Sequence, residues 1–141
     1  MIEWYKKVVF ENYANFTGRA RRSEYWYFTL VQFIILLSFL LLGVIGGSIF
    51  DNVLGGFFVA YGVFVLYSLA TLLPTLGVVV RRLHDVGKSG WFYFIAFIPF
   101  VGGIWLLVLM CTEGDYGDND YGSDPKNDTQ EMNEIGKVEL Q

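Results

Sequence analysis

Three long stretches of this chain, 25–50, 53–80 and 91–112, contain no Asp, Glu, Lys, Arg or His, giving runs of 26, 28 and 22 residues. About 20 apolar residues cross the hydrocarbon core of a bilayer as a helix. Only helices and closed barrels satisfy every backbone hydrogen bond where water is absent, and the alternation of barrel strands is missing here. A large soluble protein can also bury such runs, but 141 residues build no core able to hide three of them. The runs predict an all-α integral membrane protein with three transmembrane helices, over about 25–50, 53–80 and 91–112. A composition of 54% hydrophobic residues and a mean hydropathy of +0.43 agrees.

Ahead of the first run, Ile2, Tyr5, Val9, Tyr13 and Phe16 recur at helical spacing. They predict a short amphipathic helix over about 2–16 lying in the headgroup layer, with Glu3 and Lys7 as an i,i+4 pair. No continuous apolar segment precedes residue 25, so the first span is expected to act as the targeting signal in place of a cleaved peptide. Asp51 and Asn52 make a tight turn between spans one and two. Gly43 and Gly47 on the first span, with Gly56 and Ala60 on the second, provide small-residue faces for close helix approach. Pro74 is expected to kink span two. IPFVGG (Ile98 to Gly103) allows either a kinked third span or two re-entrant half-helices. The kinked span is the expectation, and it sends the carboxyl tail to the opposite side from the amino terminus. Residues 1–125 then form a single membrane domain, and 126–141 a polar, disordered tail.

Charge is distributed unevenly around a net of −4. Residues 113–141 hold nine acids against Lys126 and Lys137, whereas residues 1–112 hold eight bases against five acids. The acidity belongs to the tail, and nothing favours nucleic acid as a partner. All eight bases outside the tail lie in the amino-terminal arm or the 81–90 loop. The positive-inside rule assigns both to the cytoplasm. A single cysteine, Cys111, and a single histidine, His84, argue against an intrachain disulfide, a metal site or a cofactor. The acidic DYGDNDYGSD lacks the ligand order of a calcium loop and is expected to be a solvated, turn-rich segment. No ionisable group lies within the spans to mark a transport pathway. Gln32, Ser38, Ser68, Thr71 and Thr75 are expected to hydrogen-bond between helices.

Polar chemistry is concentrated in GRARRSEYW (Gly18 to Trp26) and RRLHDVGKSGW (Arg81 to Trp91). One reading makes Arg19, Arg21, Arg22, Arg81, Arg82 and Lys88 a non-enzymatic cytoplasmic face that binds anionic phospholipid headgroups or an acidic partner protein. An alternative reading is an enzyme or accessory subunit acting on a phosphorylated lipid, with His84 as acid or base beside Asp85. Successive helical residues point about 100° apart, so those two do not automatically form a pair, and Arg81 with Asp85 is the natural i,i+4 partnership. Structural roles also suit the segment: Gly87 as helix terminator and Ser89 as cap of the next helix. A homo-oligomer or a membrane-protein partner stays open.

These two motifs, together with IPFVGG and the tail piece NDYGSDP, resemble the bacterial family named domain of unknown function 805, from Met1 to about Pro125. The resemblance implies a small integral protein of the inner membrane and carries no reaction or cofactor with it. Family members commonly have an arginine and a proline where this chain has Asp120 and Ser123, and a second tryptophan where it has Phe92.

Overall fold

The computed structural model describes residues 1–126; the expected disordered tail, but for Lys126 at its start, lies outside them. Helix α1 (Ile2–Lys6) runs directly into a π-helical turn, Lys7–Glu11. There Asn12 closes the wide turn, its amide N–H and its side chain both donating to the Lys7 carbonyl. The amphipathic arm is shorter than expected because Asn12 ends it. Its apolar face is also packed against protein: Val8 is fully buried with Ala20, Phe28 and Val78. Lys7 pairs with Glu24 at 3.4 Å, the partner the sequence had suggested being Glu3.

Helix α2 (Arg22–Ile49) and helix α3 (Val53–Ala70) form an antiparallel hairpin. At 1.5 Å per residue, the 28 residues of α2 extend about 42 Å. Asp51 takes a positive φ of 52°, and the Asn52 side chain caps α3 by accepting from the Gly55 N–H at 2.9 Å. The small-residue faces meet as expected. A Cβ added to Gly56 would lie 2.3 Å from the Gly43 carbonyl oxygen, so the backbones are in direct contact. Away from this seam the hairpin exposes Leu41, Leu42, Phe58, Val59 and Leu66. So broad an apolar surface suits lipid and not water.

The second run is two helices. Helix α3 stops at Ala70, and α4 (Leu72–Asp85) restarts after Thr71. Pro74 has no N–H to give the Ala70 carbonyl, so the proline produces a break where a kink was expected. Helix α4 is the most enclosed element, with Val78, Arg82 and Leu83 fully buried. Among the residues expected to bridge helices, Gln32 does so, accepting from the Tyr67 hydroxyl at 2.6 Å. Ser38, Thr71 and Thr75 instead donate to carbonyls within or adjoining their own helices.

The expected third span is also corrected. Residues 91–112 form a 3₁₀ helix, Gly90–Phe97, and a separate helix α5 (Gly102–Cys111) that packs back on it. Pro99, a positive φ of 64° at Phe100 and the bare backbone of Gly102 reverse the chain. A Cβ on Gly102 would sit 1.8 Å from the Ile95 carbonyl oxygen, which only glycine permits. Eight residues of 3₁₀ helix rise about 16 Å and ten of α-helix about 15 Å, each near half the hydrocarbon thickness. The two arms therefore cancel, and Cys111 returns to the level of Arg22 and Arg82, where the expected topology had put it at the far end from His84. Gly87 (φ 66°) and Ser89, whose hydroxyl accepts from the Trp91 N–H, perform the terminating and capping roles assigned to them.

Candidate anion-binding face

The start of α2 and the end of α4 lie side by side, joined by the Ala20 N–H donating to the Arg81 carbonyl at 3.0 Å. This brings the two basic motifs together. Their charges are cross-paired. Arg81 donates to Glu24 at 2.5 Å, while Asp85 accepts from Arg19 Nε at 3.0 Å and from Arg82. The expected Arg81–Asp85 pair is absent because each partner reaches across to another segment, Arg81 to α2 and Asp85 to the loop before it.

Residues 112–126 wrap over this face and supply carbonyls. Arg19 Nη1 and Nη2 donate to Gly117 and Asp115 at 2.5 Å each, and Arg82 donates to the carbonyls of Met110 and Thr112. Arg21 donates to the Pro125 carbonyl at 2.7 Å, and Arg22 pairs with Glu113 at 3.1 Å. Positive φ at Gly117 and Gly122 folds the segment into turns, and Asp124 is buried while accepting from the Gly117 and Lys126 N–H groups. DYGDNDYGSD is thus turn-rich as expected, but its end is packed and not simply solvated.

The six basic candidates divide by burial. Arg19, Arg81 and Arg82 are less than a tenth exposed, and Arg19 and Arg82 are fully engaged by carboxylate and carbonyl oxygens. Arg21 and Arg22 line an open cleft of about 560 Å³ with Ser23 and Lys126, over a floor that includes Asp85, Asp115 and Asp124. Lys88 stands apart, above the Phe92 ring. The first turn of α2 opens into the cleft without a side-chain cap. Sequence reasoning missed Ser23 and Lys126; the glycine-punctuated NDYGSDP was the available sign that the tail folds back.

His84 and Asp85 do not form a dyad. Both Asp85 oxygens face arginines, whereas His84 Nδ1 lies 3.2 Å from the Gly18 carbonyl and the ring stacks on Tyr121 at 4.0 Å. Burial lowers the His84 pKa below its ordinary value, opposed by the Gly18 carbonyl. Burial raises that of Asp85, opposed by Arg82 and then Arg19. Among the described residues no group of His, Cys, Asp and Glu is placed to hold a metal ion.

Residues 13–123 match the family model described as Protein of unknown function (DUF805). The inner membrane protein YhaI of Escherichia coli strain K12 is 45% identical over 127 residues, covering 89% of this chain and 97% of that protein. The inner membrane protein YhaH of the same strain is 40% identical over 128 residues, covering 89% and 98%. No solved structure matches.

Proposed function

The chain belongs to the DUF805 family, and from that membership we propose that it is an inner-membrane protein whose cytoplasmic cleft holds anionic phospholipid headgroups without catalysing a reaction. In this reading α2 and α3, the latter with the start of α4, cross the bilayer. The Gly90–Cys111 segment enters and leaves on the cytoplasmic side, so the amino-terminal arm, the 81–90 loop and residues 112–126 share that side. The clustering of lysine and arginine on that face supports this orientation.

One observation carries the binding reading. Arg21, Arg22, Ser23 and Lys126 border an open cleft at the first turn of α2, directly before Tyr25, Trp26 and Tyr27, where a span enters the headgroup layer. Free N–H groups and the dipole of a helix start favour negative charge. Each basic residue near an anionic leaflet gains about 1 kcal/mol from the surface potential. Arg19 and Arg82 act in this reading as scaffold, holding the tail that forms the cleft's far wall, while Arg81 ties α4 to Glu24 of α2. The enzymatic alternative gains nothing from the geometry, since the carboxylate adjacent to His84 is committed to arginines.

Native mass spectrometry of the gently extracted protein tests the reading. Bound phosphatidylglycerol or cardiolipin is expected on the wild type, reduced in Arg22→Lys and further reduced in Arg22→Gln/Lys126→Gln. An unchanged lipid complement in the double variant would overturn it.

A further inference from the structure

A second cavity, of about 290 Å³, lies on the other side of Arg19, between the amino-terminal arm and the folded tail. It is lined mainly by polar groups, among them Lys7, Asn12, Asn15, Thr17, Arg81 and Ser123. The Arg81 side chain is 4% exposed, and its Nε and Nη2 atoms have no hydrogen-bond partner. Those two nitrogens form one edge of the guanidinium, the parallel fork that matches two oxygens of a carboxylate or phosphate. Nη1, on the other edge, is taken by Glu24 at 2.5 Å.

The remaining walls do not satisfy this fork. The Asn12 amide donates to Lys7, the Asn15 amide donates to Asn12, and Thr17 donates to Asn15, so the polar side chains of the arm are engaged with one another. Lys7 and Arg81 share the single carboxylate of Glu24, which leaves one positive charge in excess. A buried donor pair without acceptors is costly. The cavity exceeds what one water fills, at about 30 Å³ per molecule of liquid.

We propose that this cavity is a binding site for a tetrahedral oxyanion of the phosphate class, held side-on by Arg81 Nε and Nη2 with Lys7 as the second cation. The occupant is either a soluble phosphate or the phosphate of a headgroup entering from the membrane surface. The proposal stands apart from the headgroup cleft, which Arg81 does not line.

The test uses the full chain in phosphatidylcholine nanodiscs, titrated calorimetrically with inorganic phosphate against sodium chloride at equal ionic strength. In parallel, the thermal midpoint is followed as phosphatidylglycerol replaces phosphatidylcholine. Saturable phosphate binding that weakens by roughly tenfold or more in Arg81→Lys supports the site with a soluble occupant, since lysine keeps the charge and loses the fork. Stabilisation by phosphatidylglycerol alone, lost in Arg81→Lys, supports it with a headgroup occupant. Circular dichroism establishes that the variant is folded. Lys7→Gln, at a half-exposed position, is the second variant and is expected to weaken whichever binding is seen. If neither ligand has an effect on the wild type, or if both act equally on wild type and variants, the cavity holds water only and the proposal fails.

Discussion

The Tyr13 hydroxyl donates a 2.6 Å hydrogen bond to the Ala70 carbonyl, the acceptor that Pro74 leaves without its i+4 donor. The amino-terminal arm thereby completes the break between α3 and α4. Tyr13→Phe is expected to cost about 1 kcal/mol, the net worth of one hydrogen bond. In a Pro74→Ala background, where residue 74 regains its N–H, the same change should cost less. A double-mutant cycle by thermal unfolding in detergent reads the coupling, and additive effects would show that the bond does not serve the break.

Reversal at Pro99–Gly102 fixes a second outcome. Because Cys111 ends beside Arg22, both chain ends are expected on one side of the membrane. A fluorescent reporter fused after Gln141 should be active in the cytoplasm, and a reporter active only outside it should be silent. Gly102→Val cannot keep the Ile95 contact and should reduce folded yield sharply.

How much of this could be read from the chain depended on the range of the interaction. The hairpin of α2 and α3, its Asp51–Asn52 turn and its glycine seam are local patterns, and the charge-free runs carry them directly. GRARRSEYW opens one arm of that hairpin and RRLHDVGKSGW closes the continuation of the other, so hairpin geometry puts them at one depth. Glu24 and Asp85 are the acids within them available to cross-pair with the arginines. Residues 91–112 were misjudged because 22 apolar residues meet the length rule for a span, and the rule does not register a reversal. What decided it was the approach of Gly102 to Ile95, a contact between backbones that no side chain announces. The same reversal hid the tail's role. With residue 112 assigned to the far side, the acids of 113–126 had no cations near them, and half the arginine cluster read as free surface.

Asp85 supplies the third prediction, because one carboxylate holds two buried arginines, Arg19 and Arg82. Removing one member of a buried pair leaves charge uncompensated, at a cost of about 3–5 kcal/mol. Asp85→Ala is therefore expected to lose most of its folded yield, and Asp85→Asn nearly as much. His84→Ala, which removes a stacked ring and one contact to a carbonyl, should be far milder. Fluorescence-detected size exclusion ranks the three. A His84 variant as defective as Asp85→Ala would contradict the assignment of Asp85 as the centre of the scaffold.

Acidification should loosen the tail from this scaffold, and His84 sets where this begins. Its folded pKa is lowered below 6.5, chiefly by burial, so the folded state favours the neutral ring. Such a group contributes stability while it is neutral in both states, and the contribution is lost as pH falls from 6.5 towards the depressed folded value, because the unfolded chain takes up the proton first. Asp124 acts in the same direction at lower pH. The Lys126 and Gly117 N–H groups help hold its pKa below 3.8, so its contribution disappears as pH falls through that range. Relative to its intrinsic rate, hydrogen exchange at Asp115–Tyr121 is expected to accelerate as pH falls from about 7 to 5. Protonation opposes the ring's packed position between Gly18 and Tyr121, and Asn119 donates to the His84 carbonyl from the same segment. In His84→Gln, which has no titrating ring, the acceleration beyond the intrinsic pH dependence of exchange should vanish across that interval. If it persists unchanged, the pH response of the tail belongs to its carboxylates and not to His84.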